Sequence, residues 1–132
     1  MLQLPPAALT IIESPYAGAV AANLIYARHA MRDCFNRGEV PFASHLLYTQ
    51  HGVLNDLIPP ERELGIEAGL SFYRWAMLCA VYADHGISSG MTKGIERARA
   101  YNVPVTYRYL FTVPGAVIER SSARDRENDC VS

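Results

Sequence analysis

The stretch CAVYADHGISSGMTKGIERARAYN, from Cys79 to Asn102, decides the fold that the sequence predicts. It passes from a short apolar segment to an acid, then through a turn rich in Gly and Ser into a helix with an apolar stripe. The segment Leu78 to Ala83 has the length of a strand and contains Val and Tyr, and a turn follows it directly. We therefore predict a strand, a ligand-sized loop and the N-terminus of a helix.

Asp84 comes where this strand ends, and ligands of open α/β sheets bind outside the carboxyl ends of the strands. Its carboxylate is placed to meet a ligand hydroxyl, although a turn Asp explains the same spacing. Ser88 or Ser89 can cap the helix, and Gly90 lets backbone come close to a ligand. The N–H groups of such a helix start suit an anion such as a nucleotide phosphate, but many helix starts bind nothing.

The N-terminal part predicts a βαβ unit. Leu9 to Ile12 is a short apolar strand that is followed by Glu13 and by a loop containing Pro15 and Gly18. A helix with one apolar face follows and stops at Gly38. Strand, glycine-containing loop and amphipathic helix in this order open a βαβ unit.

Three further segments complete the predicted domain. Val40 to Leu47 is the second strand candidate, with His45 near its far end, and a long polar loop at 48–60 follows. Residues 61–77 read as a helix, and Val103 to Leu110 as the last strand. Four strands with three intervening helical regions predict an α/β fold, a three-layer sandwich with a small, largely parallel sheet.

The helix at 61–77 has apolar residues on two sides, which favours burial against the sheet and against a second surface. A homo-oligomer is the partner arrangement that this pattern predicts. Gly65 and Gly69 would allow another backbone to come close.

Length and composition indicate one compact domain. The chain has 132 residues, half of them apolar, and a formal charge of −1, so duplex DNA is not an expected partner. We predict one domain over residues 1–120 and a disordered tail over 121–132. No CxxC or Cys/His spacing indicates zinc, so we predict neither a metal nor another cofactor.

Three Cys, two of them in apolar stretches, are typical of free thiols in a reducing cytoplasm, which is the predicted location. The N-terminus has no basic region of the kind that opens a signal peptide. The longest apolar stretch, Leu70 to Ala83, contains Arg74 and is too short to span a bilayer, so no membrane association is expected.

These motifs together resemble the nucleoside 2-deoxyribosyltransferase-like superfamily, including its small phage and bacterial members of uncharacterised function. The resemblance covers roughly residues 9–108 and rests on Ser-Pro-Tyr-Ala-Gly at 14–18, Asn23 with Tyr26 and Ala27, Pro41-Phe42 leading to His45, and Asp84 followed by Ser-x-Gly-Met-x-x-x-Ile at 88–95. It implies a flavodoxin/Rossmann-like fold, a nucleoside or nucleotide ligand, and homo-oligomers whose subunits complete each other's sites. In active members it implies cleavage of an N-glycosidic bond by a carboxylate nucleophile.

One position departs from this resemblance. Where the active relatives carry the nucleophilic Glu, this sequence has Gly94. Glu96 lies two residues further along, about 200° around the helix from position 94, and is expected on the solvent side. Glu13 is the best replacement, because it ends an apolar strand at the edge where ligands bind. It could attack a sugar, act as general acid or base, or hold ribose hydroxyls, whereas its structural alternative is to cap backbone or pair with Arg.

The other candidate ligand groups each have a structural alternative. Tyr16 could stack on a base or pack in its loop, and His45 could serve as acid or base or simply close a strand. Asn23 could reach the site or bind local backbone, and Asp56 could belong to a turn. Glu67 and Asp56 are further possibilities for the missing catalytic carboxylate, although Glu67 is expected on the helix surface. The predicted ligand-binding set is Ser14, Pro15, Tyr16, Gly18, Asn23, His45, Asp56, Asp84, Ser88, Ser89, Gly90 and Met91.

Three functions remain open from the sequence. The first is a nucleoside- or nucleotide-binding protein with weak or no activity, since the loops are retained and the Glu is missing. The second is an active N-glycosidase or deoxyribosyltransferase that uses Glu13 instead. The third is an oligomeric interaction module with an empty pocket.

Overall fold

The computed structural model describes residues 8–111, and the predicted tail over 121–132 lies outside them. The elements in chain order are β1 Leu9–Glu13, α1 Val20–Asn36, β2 Val40–Phe42, α2 Ser44–Leu47, α3 Pro59–Ser71, a 3-10 helix Phe72–Arg74, β3 Leu78–Tyr82, α4 Ser89–Ala100 and β4 Val105–Arg108. No helix among these residues is both long enough and apolar enough to cross a membrane.

The four strands form one sheet in the order β2-β1-β3-β4, and all of the pairs are parallel. The register places Thr10 opposite Leu78 and Cys79 opposite Val105. Helices connect successive strands, as parallel pairing requires. The predicted α/β fold with a small parallel sheet is confirmed.

The sheet separates two apolar cores because successive side chains of a strand point to opposite faces. Ile11, Cys79 and Val81 face α4 in a cluster that also holds Tyr73, Met91, Ile95, Ala98 and Val103. On the other face, Ile12, Ala80 and Tyr82 pack with α1, in a cluster that includes Tyr26, Ala30, Cys34 and Ala43. Burial of both sheet faces makes the domain the three-layer sandwich that the sequence predicts.

The second strand is shorter than the sequence predicts. It ends at Phe42, its pairing with β1 stops there, and residues Ser44–Leu47 form α2. Local hydrogen bonds from Leu46 N to Ala43 O and from Tyr48 N to Ser44 O replace the ladder. His45 therefore lies on a short helix, which turns its ring back toward the end of β1.

The helix expected over 61–77 also ends early. It begins at Pro59, where two prolines occupy the first turn, and it ends at Ser71. A 3-10 turn over Phe72–Arg74 then leads toward β3, and Met77 N donates to Leu9 O. This tight turn places Tyr73 inside the core beneath α4.

A buried ion pair between Arg108 and Glu39 connects β4, an edge strand, to the turn between α1 and β2. Arg108 on β4 donates two hydrogen bonds to Glu39, of 2.6 and 2.7 Å, and a third of 3.1 Å to the Tyr82 hydroxyl. Tyr82 in turn donates to Asp33 at 2.8 Å. The hydrogen bond with Arg108 lowers the pKa of Glu39 below its usual range. This cluster lies on the α1 face, away from the cleft described below.

Candidate functional site

A cleft of about 160 Å³ opens at the carboxyl ends of β1 and β3. The order of the strands reverses here, because the chain leaves β1 toward β2 and later returns to pair β3 on its other side. Ligands of open α/β folds bind at such a switch point. The cleft is lined by Ile11, Glu13, Ser14, Tyr16, Ala17, Ser44, His45, Tyr48, Thr49, Leu54, Asp56, Glu61, Arg62, Gly65, Ile66, Gly69, Leu70, Ser88, Ser89, Gly90 and Met91.

Glu13, the last residue of β1, forms part of the cleft wall where β1 meets α4. Its Oε2 accepts a hydrogen bond of 2.5 Å from the Tyr73 hydroxyl. The carboxyl group lies against Gly94, in the middle of α4. A Cβ added at Gly94 would stand no farther than 2.6 Å from Cδ and both oxygens of Glu13. The Glu13 carboxyl group therefore occupies the space into which any side chain at position 94 would have to enter.

Burial raises the pKa of Glu13 from 4.5 to about 8, and the hydrogen bond from Tyr73 offsets part of this rise. The carboxyl group is thus mostly protonated at neutral pH. In that state it can donate a proton, and above pH 8 it is mostly ionised and can act as a nucleophile.

Ser14 and His45 form the next polar pair of the cleft. Ser14 Oγ and His45 Nε2 are 2.7 Å apart, and this contact joins the end of β1 to α2. Burial lowers the pKa of His45 to about 4, so the ring is neutral at physiological pH. The ring of Tyr16 stands edge-on to that of His45, with 6.4 Å between the ring centres. A neutral imidazole beside an aromatic face can make both polar and stacking contacts with a ligand.

Charged groups and the start of α4 also line the cleft. Arg62 on α3 donates a hydrogen bond of 2.6 Å to Asp56 in the long loop, which fixes that loop against the helix. Ser88 caps α4 by accepting a hydrogen bond of 3.2 Å from Met91 N. Ser89 and Gly90, the first two residues of α4, face the same cleft.

The structure brings most of the predicted site residues together. Nine of them line the cleft: Glu13, Ser14, Tyr16, His45, Asp56, Ser88, Ser89, Gly90 and Met91. Pro15, Gly18, Asn23 and Asp84 are not among the lining residues. The ligand-binding role of the whole set stays a prediction.

Asn23 and Asp84, which do not line the cleft, form hydrogen bonds that stabilise other parts of the fold. Asn23 Nδ2 donates hydrogen bonds to the carbonyls of Tyr16 and Ala17, of 2.9 and 3.2 Å, and so holds the loop that carries Tyr16. Asp84 is buried and accepts from the Tyr26 hydroxyl at 2.5 Å and from the backbone N–H groups of Leu110 and Phe111 at 2.8 Å. It thereby joins α1 to the segment that follows β4.

Two other carboxylates considered from the sequence, Glu96 and Glu67, lie outside the cleft. Glu96 is exposed, on the side of α4 away from the core, as the helical rotation predicts. Glu67 is exposed on α3 and pairs with Arg97 of α4 at 3.1 Å. Within residues 8–111, no group of three or more His, Cys, Asp or Glu side chains is arranged to hold a metal ion.

Several residues in or next to the cleft were not predicted from the sequence. Tyr73 looks like one member of an apolar row, and only the packing of the 3-10 turn shows that its hydroxyl meets Glu13. Ser44 and Tyr48 enter the cleft because α2 folds over the end of β1, whereas Arg62 enters it from α3. The long, polar, proline-containing loop at 48–60 was the sequence feature that indicated that this part of the chain contributes to the cleft.

The fold and the cleft define an α/β protein of the open parallel-sheet class with a cleft at its switch point. The chain belongs to the family described as Domain of unknown function (DUF7768), which matches residues 8–108. The comparison with curated proteins found no match.

Among solved structures, the chain is similar to a 2-deoxyribosyltransferase from the psychrotolerant bacterium Bacillus psychrosaccharolyticus. The TM-score is 0.63 at 15% sequence identity, over 89% of this chain and 81% of that one. At this identity the similarity establishes the fold, and the predicted deoxyribosyltransferase-like fold is confirmed.

Proposed function

We propose that the cleft binds a nucleoside or nucleotide and that Glu13 is the carboxyl group that acts on its N-glycosidic bond. The fold similarity to a 2-deoxyribosyltransferase supports the ligand class. The observation that carries the proposal is the position of the Glu13 carboxyl group beside Gly94, inside the cleft. The resemblance implies a catalytic carboxylate at position 94 in active relatives, and the Glu13 carboxyl group lies beside that position.

The reaction needs the ionised carboxylate. An oxygen of Glu13 attacks the anomeric carbon, a C–O bond forms, and the C–N bond breaks with its electron pair going to the base, which takes up a proton. Water then attacks the glycosyl ester and releases the sugar and Glu13, which makes the protein a hydrolase. Attack by a second base instead of water makes it a transferase.

The remaining cleft residues have roles that follow from their chemistry. Tyr16 offers an aromatic face for the base, and such stacking contributes about 1–3 kcal/mol. The neutral His45 with Ser14 can hydrogen-bond the sugar or the base. Ser88, Ser89 and Gly90 present the start of α4 to any phosphate, where oriented N–H groups favour an anion.

Base release from 2′-deoxynucleosides and their 5′-monophosphates, followed by chromatography, tests the catalytic role. We expect activity in the wild type and a loss of about 100-fold or more in Glu13→Gln, which keeps the shape of the side chain but cannot attack or donate an acid proton. Glu96→Gln is the matched control, because Glu96 is exposed on the same helix as Gly94. Full activity in Glu13→Gln contradicts the assignment.

Binding without turnover is the second candidate, and the raised pKa of Glu13 favours it. A carboxyl group that is protonated at pH 7 is a poor nucleophile, while it can still hydrogen-bond a sugar hydroxyl. Thermal unfolding with a panel of nucleosides and nucleotides separates the two candidates, since a ligand that binds the folded state raises the unfolding temperature. A shift without base release supports binding alone. No shift with any compound, well above micromolar concentration, contradicts a nucleoside site.

We further propose that the protein self-associates through α3 and the loop before it, because Leu64 on α3 is 60% exposed and Leu57, two residues before the helix, is also exposed. Burial of such side chains against another copy removes apolar surface from water. Light scattering tests this: a monomer at tens of micromolar contradicts it.

A further inference from the structure

On its core side, Glu13 contacts a buried pair of residues, Tyr73 and Cys79, to which the proposed function gives no role. The Tyr73 hydroxyl lies 2.5 Å from Glu13 Oε2 and 3.1 Å from the Sγ of Cys79. Tyr73 is 1% exposed and Cys79 is completely buried. Among residues 8–111, Glu13 Oε1 makes no hydrogen bond, so Tyr73 is the residue that holds the carboxyl group.

The direction of these hydrogen bonds follows from the number of protons. The Tyr73 hydroxyl has one proton, and it donates that proton to Glu13. Its contact with Cys79 must therefore use the thiol as donor. Burial raises the pKa of Cys79 to about 12 and that of Tyr73 well above its usual range, so both groups keep their protons near neutral pH. The result is a chain of donors from the core of the sheet to the carboxyl group.

We propose that Tyr73 is a positioning residue for Glu13, whose hydroxyl holds Oε2 in the space beside Gly94, favours the ionised carboxylate and leaves Oε1 for the substrate. This inference rests on the proposed role of Glu13 as the reacting carboxyl group. Tyr73 acts through Glu13, since it does not line the cleft itself.

The physical reason is the surroundings of the carboxyl group. Glu13 sits beside the apolar core formed by Ile11, Met91 and Ile95, where an ionised carboxylate is costly unless a donor compensates it. Tyr73 supplies the donor from the 3-10 turn that follows α3. Because α3 also lines the cleft, the helix that shapes the ligand space leads directly into the turn that places the Tyr73 hydroxyl.

Tyr73→Phe removes this donor and keeps the ring in the core. We expect the Glu13 carboxyl group to titrate about one pH unit higher, because a hydrogen bond to a charged group is lost. The titration is followed by NMR of protein labelled with ¹³C at the Glu side-chain carboxyl carbon, with Glu13→Gln assigning the resonance. At pH 7 the ionised fraction, and with it kcat, then falls about tenfold, while KM changes little.

The matched control is Tyr82→Phe, which also removes a buried tyrosine hydroxyl, but on the α1 face of the sheet, where it binds Asp33 and Arg108. It is expected to lower stability and leave the Glu13 titration unchanged. Neither substitution alters the charged groups and the histidine that line the cleft with Glu13, which are His45 on α2, Asp56 in the following loop, and Glu61 and Arg62 on α3. Arg99 on α4, whose charge acts on Cys79, is also unchanged.

Cys79→Ala provides a second test that keeps the Tyr73 hydroxyl. Loss of the thiol donor weakens the donor chain, so Glu13 is expected to titrate higher than in the wild type but lower than in Tyr73→Phe. An unchanged Glu13 titration in Tyr73→Phe overturns the proposal, as does a shift of the same size in Tyr82→Phe. The titration needs no turnover, so a protein that cleaves no nucleoside disproves the proposed catalysis without affecting this measurement.

Discussion

The carboxyl group of Glu13 on β1 occupies the space beside Gly94 on α4, where an added Cβ would lie within 2.6 Å of each of its three terminal atoms. The space between β1 and α4 can therefore hold a side chain from position 13 or from position 94, but not from both. Position 94 is buried on the inner face of α4, so a residue there could project only toward β1. Glycine at 94 and glutamate at 13 are therefore physically coupled.

This coupling predicts a non-additive effect on stability. In a Glu13→Ala background, Gly94→Ala is expected to stabilise the protein by up to about 1 kcal/mol, because alanine is the better helix former. In the wild type the same change displaces the Glu13 carboxyl group from Tyr73. Loss of that hydrogen bond offsets the stability gained from helix propensity. Urea unfolding of the wild type, the two single variants and the double variant should give a coupling energy of about 1–2 kcal/mol. Equal effects of Gly94→Ala in the two backgrounds contradict the coupling.

Moving the carboxyl group from β1 to α4 should preserve part of the proposed activity. We expect Glu13→Ala with Gly94→Glu to release base at least about tenfold faster than Glu13→Ala alone, since a carboxyl group returns to the same space. Gly94→Glu alone should be destabilised, because two carboxyl groups then compete for that space. The rates are measured by chromatography of released base at pH 8. Indistinguishable rates in the double variant and Glu13→Ala show that the position of the carboxyl group does not control catalysis.

The raised pKa of Glu13 predicts a pH dependence of stability. Between pH 4.5 and about 8 the folded state holds a proton that the unfolded state has lost. The contribution of this proton to the free energy of unfolding is fully present below pH 4.5 and falls by about 1.4 kcal/mol per pH unit until about pH 8. The difference in unfolding free energy between wild type and Glu13→Gln, measured in urea at pH 5, 6, 7 and 8, isolates the effect. A constant difference across this range contradicts it.

Gly69 is expected to be needed for the contact between α2 and α3. A Cβ there would lie 2.7 Å from the Cβ of Ser44, an atom next to the backbone that cannot rotate away. Gly69→Ala should therefore push α2 outward and cost about 1–3 kcal/mol of unfolding free energy. Because His45 follows Ser44, ligand binding should weaken as well. Chemical unfolding and thermal shift with ligand measure the two effects.

Gly65→Ala is the control on the same helix. Its added Cβ would meet only the end of the Leu54 side chain, at 3.2 Å, which can move. We expect little change or a gain of up to about 1 kcal/mol from helix propensity. A cost equal to that of Gly69→Ala would mean that the helix itself, and not the contact with Ser44, resists the substitution.

Asp84→Asn should affect stability more than ligand binding. The carboxylate accepts hydrogen bonds from Tyr26, Leu110 and Phe111, and an amide would place its own N–H₂ group against one of these donors. We expect a loss of about 1–3 kcal/mol in urea unfolding, with ligand affinity unchanged. Weaker binding at unchanged stability would instead give Asp84 the ligand-hydroxyl role that the sequence suggests.

Much of the fold was predictable because strand and helix patterns are local. The apolar run of β3 and the capped start of α4 lie where the stretch from Cys79 to Asn102 predicts them. The error at β2 has a physical reason: Ala43 to Leu47 is apolar enough for a strand, but β2 is an edge strand with one partner, and local hydrogen bonds form α2. An edge strand ends more easily than a central strand, because fewer ladder bonds hold it.

The sequence by itself determined the parallel α/β sheet, the end of the sheet at which polar groups gather, and the absence of a carboxylate at position 94. These follow from periodicity, turn residues and chain order, which are properties of neighbouring residues. Only the tertiary structure decided that Glu13 fills the space at Gly94, that Tyr73 holds it, and that Asp84 binds backbone. Those facts depend on contacts between residues 26 to 81 positions apart, whose distances are set when the helices pack on the sheet.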